Sequence, residues 1–420
     1  MAIVLLALEL VVDAAVSFHG AAAALATFCR HGYLEGPTPA ASTIRAWLLR
    51  VGCARLTNPL PQDRPWVWLI DHTLQVGEQK LFVIAGCPLD AIPFGQRALT
   101  LADLTIIASV PMTTSNQQRI DEELKRASAR TGVPHQIVCD GASDLHGGID
   151  CFRAGYPQMR VATDAAHYVA NLLKHYWEKD PRWHEFTRQM QQTAAVIRQS
   201  KAAYLLAPKL RNKARYMSVG KYVRFGHFLL RHLRGPQPPA DVVKHYSWVA
   251  EFASELDAWQ EQYALAQATL QNVRVEGWHA RSVTELEHDW QELNLSTHPT
   301  TMALRGRLLG FARVASSGLR PGERLQASTE VLESAFGVQK RLAGDQVNSG
   351  LTSLTLALGA VLGEHTAETV AADLKAVPEK KVEGWARRCL GKTVQWLRRL
   401  FFAQTPEPPT PPPQPVPNPG

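Results

Sequence analysis

The chain has 420 residues, 45% of them hydrophobic and 8% aromatic, enough to bury two or three cores rather than one small module. With 20% charged residues it is no disordered polyelectrolyte, and 45 Lys and Arg against 38 Asp and Glu leave a net charge of +7 whose meaning depends on where it sits. Six cysteines (Cys29, Cys53, Cys87, Cys139, Cys151, Cys389) show no CxxC or Cys/His zinc spacing, which argues against a disulfide framework and fits a reducing cytoplasm.

In residues 1–18, Glu9 and Asp13 interrupt an apolar run that no basic segment precedes, so a secretory leader is not expected. Residues 14–30 are Ala-rich and helical by propensity, GPTP at 36–39 stops them, and Ser42 or Thr43 caps a second helix. This suggests a helix-turn-helix within residues 1–60, with Ile44, Leu48 and Val51 facing the core and Thr43, Arg45, Trp47 and Arg50 outside. A plain helical hairpin is the alternative.

From residue 65 the texture turns to short β-rich runs bounded by turn residues, at 66–70, 81–85, 104–110 and 136–139. The first two form a hairpin with Gly77 in its turn, and residues 115–131 form an amphipathic helix leading into the last run. A mixed sheet over 61–175 results. Residues 176–315 read as helices jointed at Pro181, Pro208 and GPQPP, and a further helix is expected over about 322–343 within a closing segment, 316–375. The apolar stretch 351–362 is too short to span a membrane, and no span is expected elsewhere. A basic amphipathic helix over 376–404 would contact DNA, a partner subunit or a lipid surface, and 405–420 is a Pro-rich tail outside any core.

Two acids end apolar strands: Asp71 and Asp140. A carboxylate there sits rigidly at the sheet's rim, where it can hold a divalent cation. Glu333, on the later helix, shares a face with Lys340 seven positions on, so that an acid and a phosphate-binding base project together. Three carboxylates suffice for two Mg²⁺ or Mn²⁺ ions, and such a pair suits in-line attack on phosphorus. Each acid also has a plainer reading. Asp140 with Gly141 is an ordinary turn dipeptide, Glu330 lies close to the face of Glu333 and could replace it, Asp144 could cap the next helix, and Asp164 with His167 could be a supporting pair.

Residues 198–234 contain ten Lys and Arg and no acid. The whole chain being +7 and this segment +10, everything else sums to −3, so the anion-binding surface concentrates here. Within it Lys209, Arg211, Lys213, Arg215, Lys221 and Arg224 are the foremost phosphate contacts, interleaved with Tyr204, Tyr216, Tyr222 and Phe225, which could stack on bases.

The order Asp71, Asp140, Glu333 on strand, strand and helix resembles the acidic triad of DDE transposases from bacterial insertion sequences. CDGASDLHGGI at 139–149, TDAAHYVANLLK at 163–174, VLESAFGVQK at 331–340 and TIRAWLLRVG at 43–52 are similar to stretches of these enzymes, over roughly residues 15–375. The resemblance implies an α/β, ribonuclease H-like domain interrupted by an all-α insertion and preceded by a helix-turn-helix. It also implies Asp71, Asp140 and Glu333 as ligands of two Mg²⁺ ions, cleavage and strand transfer on double-stranded DNA, a homodimer or higher oligomer, and a bacterial cytoplasm at the nucleoid. A nuclease that does not join ends and an inactive DNA-binding relative are the competing readings.

Overall fold

The computed structural model describes residues 1–74, 79–210, 219–293, 295–344 and 350–403. Three helices come first: α1 (Ala2–Val12), α2 (Phe18–Arg30) and α3 (Ala41–Thr57). A five-stranded sheet follows, from β1 (Trp66–Leu74), β2 (Lys80–Pro88), β3 (Thr105–Met112), β4 (Gln136–Cys139) and β5 (Arg160–Thr163), with α4 (Gln117–Thr131) and α5 (Ser143–Ala154) between its later strands. The strand order is β3-β2-β1-β4-β5, with β1 antiparallel to β2 and parallel to β4. The expected hairpin and crossover are both present, whereas β5, a short half-buried strand, had no signal in the sequence. Gly77, expected in the hairpin turn, lies outside the described residues.

Alternation along the strands separates two cores. Trp66, Trp68 and Ile70 of β1 and Ile137 and Cys139 of β4 pack against α4 and α5, where Trp68 stacks on Phe152 at 6.3 Å. Val67, Leu69 and Val138 point the other way, into a core shared with α3 and with α13 (Glu330–Ala343), α14 (Ala357–Val361), α15 (Ala367–Ala376) and α16 (Glu379–Leu390). Each large side chain buried here contributes about 1.5–3 kcal/mol.

Between β5 and α13 lies a helical block with a separate core, made of α6 (Ala165–Trp177), α7 (Pro181–Ile197), α8 (Gly220–Leu233), α9 (Ala240–Tyr246), α10 (Ala253–Glu276), α11 (Ser282–Gln291) and α12 (Pro299–Ala315). Trp177, Trp183 and Trp259 form its centre, with ring centroids 4.5 and 4.9 Å apart about Trp183. The block returns to the sheet through the short strands β6 (Trp278–His279) and β7 (Arg324–Leu325). At Gly277, where α10 ends with φ +66°, a Cβ would stand 2.4 Å from the Leu325 carbonyl oxygen, so both space and backbone conformation require glycine.

The N-terminal helices differ from the expected helix-turn-helix. Ten residues join α2 to α3, against the three or four of that motif, and α3 is covered on both flanks. Arg45 donates to the Ser353 hydroxyl (3.1 Å), and Arg50 donates to the carbonyls of Val377 (2.7 Å) and Leu374. Thr43 lines a cavity with both, across from Glu379 and Glu383. The side chains expected to face DNA therefore face helices that lie some 300 residues later, which local periodicity cannot reveal. Arg341 likewise satisfies the terminal carbonyls of α1 at Val11 and Val12 (3.1 and 2.9 Å).

The expected basic helix over 376–404 is two helices, α16 and α17 (Val394–Ala403), parted by Gly391 at φ +58°. Val382, Trp385 and Leu390 of α16 are buried in the sheet-side core, so its apolar face is already covered. The tail 405–420 lies outside the described residues. Among those described, no helix is long and apolar enough to cross a membrane.

Candidate active site

The parallel register pairs Ile70 with Cys139, so Asp71 and Asp140 come next on adjacent strands. Neighbouring strands lie about 4.8 Å apart, and alternation sends both carboxylates to the same face as Val67, Leu69 and Val138. That face is the one α13 covers with Leu332, Ala335 and Phe336, and α13 carries Glu333. Asp71 is 8% exposed. Its carboxyl accepts the His72 amide at 2.6 Å, yet burial, and then the nearby Asp140 charge, push its pKa up to about 7. Asp140 accepts the Ala142 amide at 3.0 Å, an Asx turn that fixes its carboxylate beyond the strand. The Glu333 carboxyl is raised as well, by burial, with His167 and Lys340 opposing.

Glu330 and Glu333 differ in their charge partners. Glu330 is held by Arg274 of α10 through two bonds of 2.5 and 2.7 Å, a fork that ties the helical block to α13. Glu333 instead faces the His167 ring, Nε2 to carboxylate 3.6 Å. Arg274, 56 residues from its partner, gave no signal in the sequence.

Asp164 and His167 join the elements that carry the acids. Asp164 is fully buried and caps α6 through the Ala166 amide (3.1 Å). It also accepts the amide (3.2 Å) and hydroxyl (3.1 Å) of Thr329, the residue that begins α13. His167 Nδ1 bonds the same carboxylate, which, with help from Glu333 and Asp71, lifts the imidazole to about 9 against its burial. A raised pKa means that this stabilisation is complete below about pH 6.5 and fades as pH rises through 9. His167→Ala should therefore cost about 2 kcal/mol in urea unfolding at pH 6, and a clearly smaller amount at pH 9.5.

Asp144 belongs to a different group. It sits in the first turn of α5, whose cap is Ala142, and so is not the capping residue. It accepts from the Ser115 hydroxyl, and Ser115 meets His72 Nε2 at 3.3 Å on the sheet's other face. Burial works against the Asp144 charge, but Ser115, His72 and Lys80 outweigh it and hold the carboxyl below its ordinary range. The serine lies between the acid and the histidine, so no base is oriented by the acid as a nucleophilic triad needs.

In the basic segment, Lys209, Lys221 and Arg224 are exposed, while Arg211, Lys213, Arg215 and Tyr216 lie outside the described residues. Lys221, Arg224, Phe228 and Arg231 make one exposed stripe of α8. The aromatic residues behave otherwise than expected. Tyr222 is 4% exposed in the helical core, Phe225 packs edge-on against Tyr246, and Tyr204 is at the surface, bonded to Asp241 at 2.9 Å.

Among the described residues no group of three or more His, Cys, Asp or Glu side chains converges on a metal-sized position. Mg²⁺ does not require one, since it is commonly held by one or two carboxylates with water and substrate phosphates. Two neighbouring acids, one of them nearly buried and forced towards neutrality, are the donor set such a cation suits.

No family model matches the chain, and comparison with curated proteins gives no match. Among solved structures the chain is similar to the Drosophila P element transposase strand transfer complex, with a TM-score of 0.32 and 10% identity over 83% of this chain and 92% of that one.

Proposed function

We propose that this protein is a DNA transposase of the DDE type, built on a ribonuclease H-like domain, that cuts at transposon ends and joins the freed 3′-hydroxyl to target DNA. The observation that supports this most is that Asp71 and Asp140 follow paired residues of adjacent strands, on the face covered by α13, the helix that carries Glu333. Asp71, Asp140 and Glu333 would together hold two Mg²⁺ or Mn²⁺ ions. When bound, the ions supply activation of the attacking oxygen and neutralisation of the leaving one.

The chain's own residues do the positioning. Asp164 fixes the start of α13 to the end of β5, so that Glu333 stays opposite the two strand acids. Protonated at neutral pH, His167 places a positive charge beside Glu333 and Asp71, where the scissile phosphate would bring more negative charge. Lys340 is close enough to lower the Glu333 pKa and is suited to a non-bridging phosphate oxygen. The exposed stripe of α8, with Lys209, would hold flanking duplex through its backbone. Because two ends must be brought together, the working form would be a dimer or larger on DNA.

The test uses an oligonucleotide with a pre-cut 3′-hydroxyl end, a target plasmid and Mg²⁺. Joined product that disappears with Asp71→Ala, Asp140→Ala and Glu333→Ala, while end binding persists, is the expected result. Cutting of an intact end in a parallel reaction, with no joining of the pre-cut one, would identify a nuclease, and joining by all three variants would remove the proposal.

A further inference from the structure

The end of the sheet opposite the carboxylates carries a cleft of about 700 Å³ that the triad does not use. His135 immediately precedes β4 and Asp140 follows it, so at about 3.3 Å per residue the cleft begins roughly 16 Å from the acids. Arg153 lines it from the last turn of α5 and Arg160 from the first residue of β5, while Arg320 comes from the turn leading into β7 and Arg324 from β7 itself. Glu323 is the acid of the lining, and Arg160 pairs with it at 3.2 Å while Arg324 pairs with Glu276. Arg153 and Arg320 are exposed, and although the Arg320 amide donates to the Glu323 carboxylate at 3.1 Å, among the described residues neither guanidinium group is in an ion pair. The cleft thus combines two guanidinium groups already held in place with two that are available.

We infer that this cleft is a second nucleic-acid contact, which takes the phosphodiester backbone of duplex DNA independently of sequence. Guanidinium groups bind phosphate oxygens through paired N–H donors, and clusters of them are the usual means of holding a polyanion. Leu89, Phe94 and Met159 add apolar lining with no donor or acceptor, and the four guanidinium groups outnumber His135 and Gln158, the neutral lining side chains able to read a base edge, which favours backbone contact over base readout. A charged surface merely solvated by water would place acids among its arginines, as α4 does with Glu122 and Glu123 against Arg119 and Arg126. Here the lining is left with a net positive charge. The choice of DNA as the polyanion rests on the proposed function, whereas the phosphate chemistry rests on the cleft alone.

The experiment measures duplex affinity by fluorescence anisotropy across salt concentrations for the wild type, the Arg153→Ala/Arg320→Ala pair, and an Arg307→Ala/Arg313→Ala pair that removes equal charge from exposed positions of α12. Each phosphate contact contributes about 0.9 to the salt slope, so the cleft pair should reduce it by about 2 and weaken binding about tenfold at 0.1 M salt. The α12 pair should change neither, and Arg153→Lys/Arg320→Lys should restore most of the loss. Unchanged slope in the cleft pair, or an equal loss in the α12 pair, would overturn the inference. Tripolyphosphate binding that is lost in the cleft pair while duplex affinity stays at the wild-type level would also overturn it. Triad-dependent cleavage with an unaffected cleft pair would leave the proposed function standing without the cleft, and the reverse result would leave the cleft without that function.

Discussion

Glu333→Gln should lower Mg²⁺-dependent cleavage at a DNA end by about 10³-fold or more, whereas Glu330→Gln, one helical turn away, should leave cleavage within about threefold of wild type. The two residues have the same chemistry on neighbouring positions of α13 and differ in what they meet. Glu330 is occupied by the Arg274 fork, and losing it should cost about 1–2 kcal/mol of stability, because both partners are only partly shielded from solvent. Glu333 has the imidazolium of His167 at 3.6 Å and lies on the side of the strand acids. Quench-flow or gel assays at saturating Mg²⁺, with urea unfolding alongside, separate the two effects. Equal loss of cleavage in both variants would mean that α13, rather than one carboxylate, is what matters.

Gly52→Leu should prevent folding at 37 °C, and even Gly52→Ala should cost about 3 kcal/mol or more. A Cβ built at Gly52 would lie 1.9 Å from the Leu356 carbonyl oxygen, and one at Gly359 would lie 2.5 Å from the Gly52 carbonyl oxygen. The two glycines let α3 and α14 cross with their backbones in contact. A side chain there must push α14 off α3, and α14 carries Ala357, Leu358 and Ala360 into the core beneath the sheet face that bears Asp71. Thermal denaturation by circular dichroism measures the effect. A Gly52→Ala protein as stable as the wild type would show that this crossing can open without cost.

Gly52 also shows what a local reading of the chain misses. In the sequence it ends a string, TIRAWLLRVG, that resembles the helix-turn-helix region of insertion-sequence transposases. In the fold it is a packing contact, and Arg45 and Arg50 of the same string bond to segments at 353 and 374–377. Nothing within twenty residues of Arg50 records that cover. The strands and their terminal acids were readable for the opposite reason: an apolar run of four or five residues bounded by turns, with an acid at its end, is a local pattern. The different surroundings of Glu330 and Glu333 were not readable, because both lie near one helical face and the Arg274 partner of Glu330 comes from α10. Asp164 and His167 were visible as a pair but not as the joint between α6 and α13, since Thr329 is 165 residues away. Among the aromatics of the basic segment, the helical period of α8 turns Tyr222 inward with Val223 and Leu229, and hydrophobic burial prevails over any stacking role.

On the proposed function, Asp71, Asp140 and Glu333 would together hold two divalent ions. Mn²⁺ binding followed by electron paramagnetic resonance, in the presence of a DNA end, tests it without requiring turnover. Two bound ions per wild-type chain are expected, with fewer in Glu333→Gln and none in Asp71→Asn, which removes the most buried of the three carboxylates. An Asp71→Asn protein that is folded, binds the same DNA and still takes up two ions would contradict it.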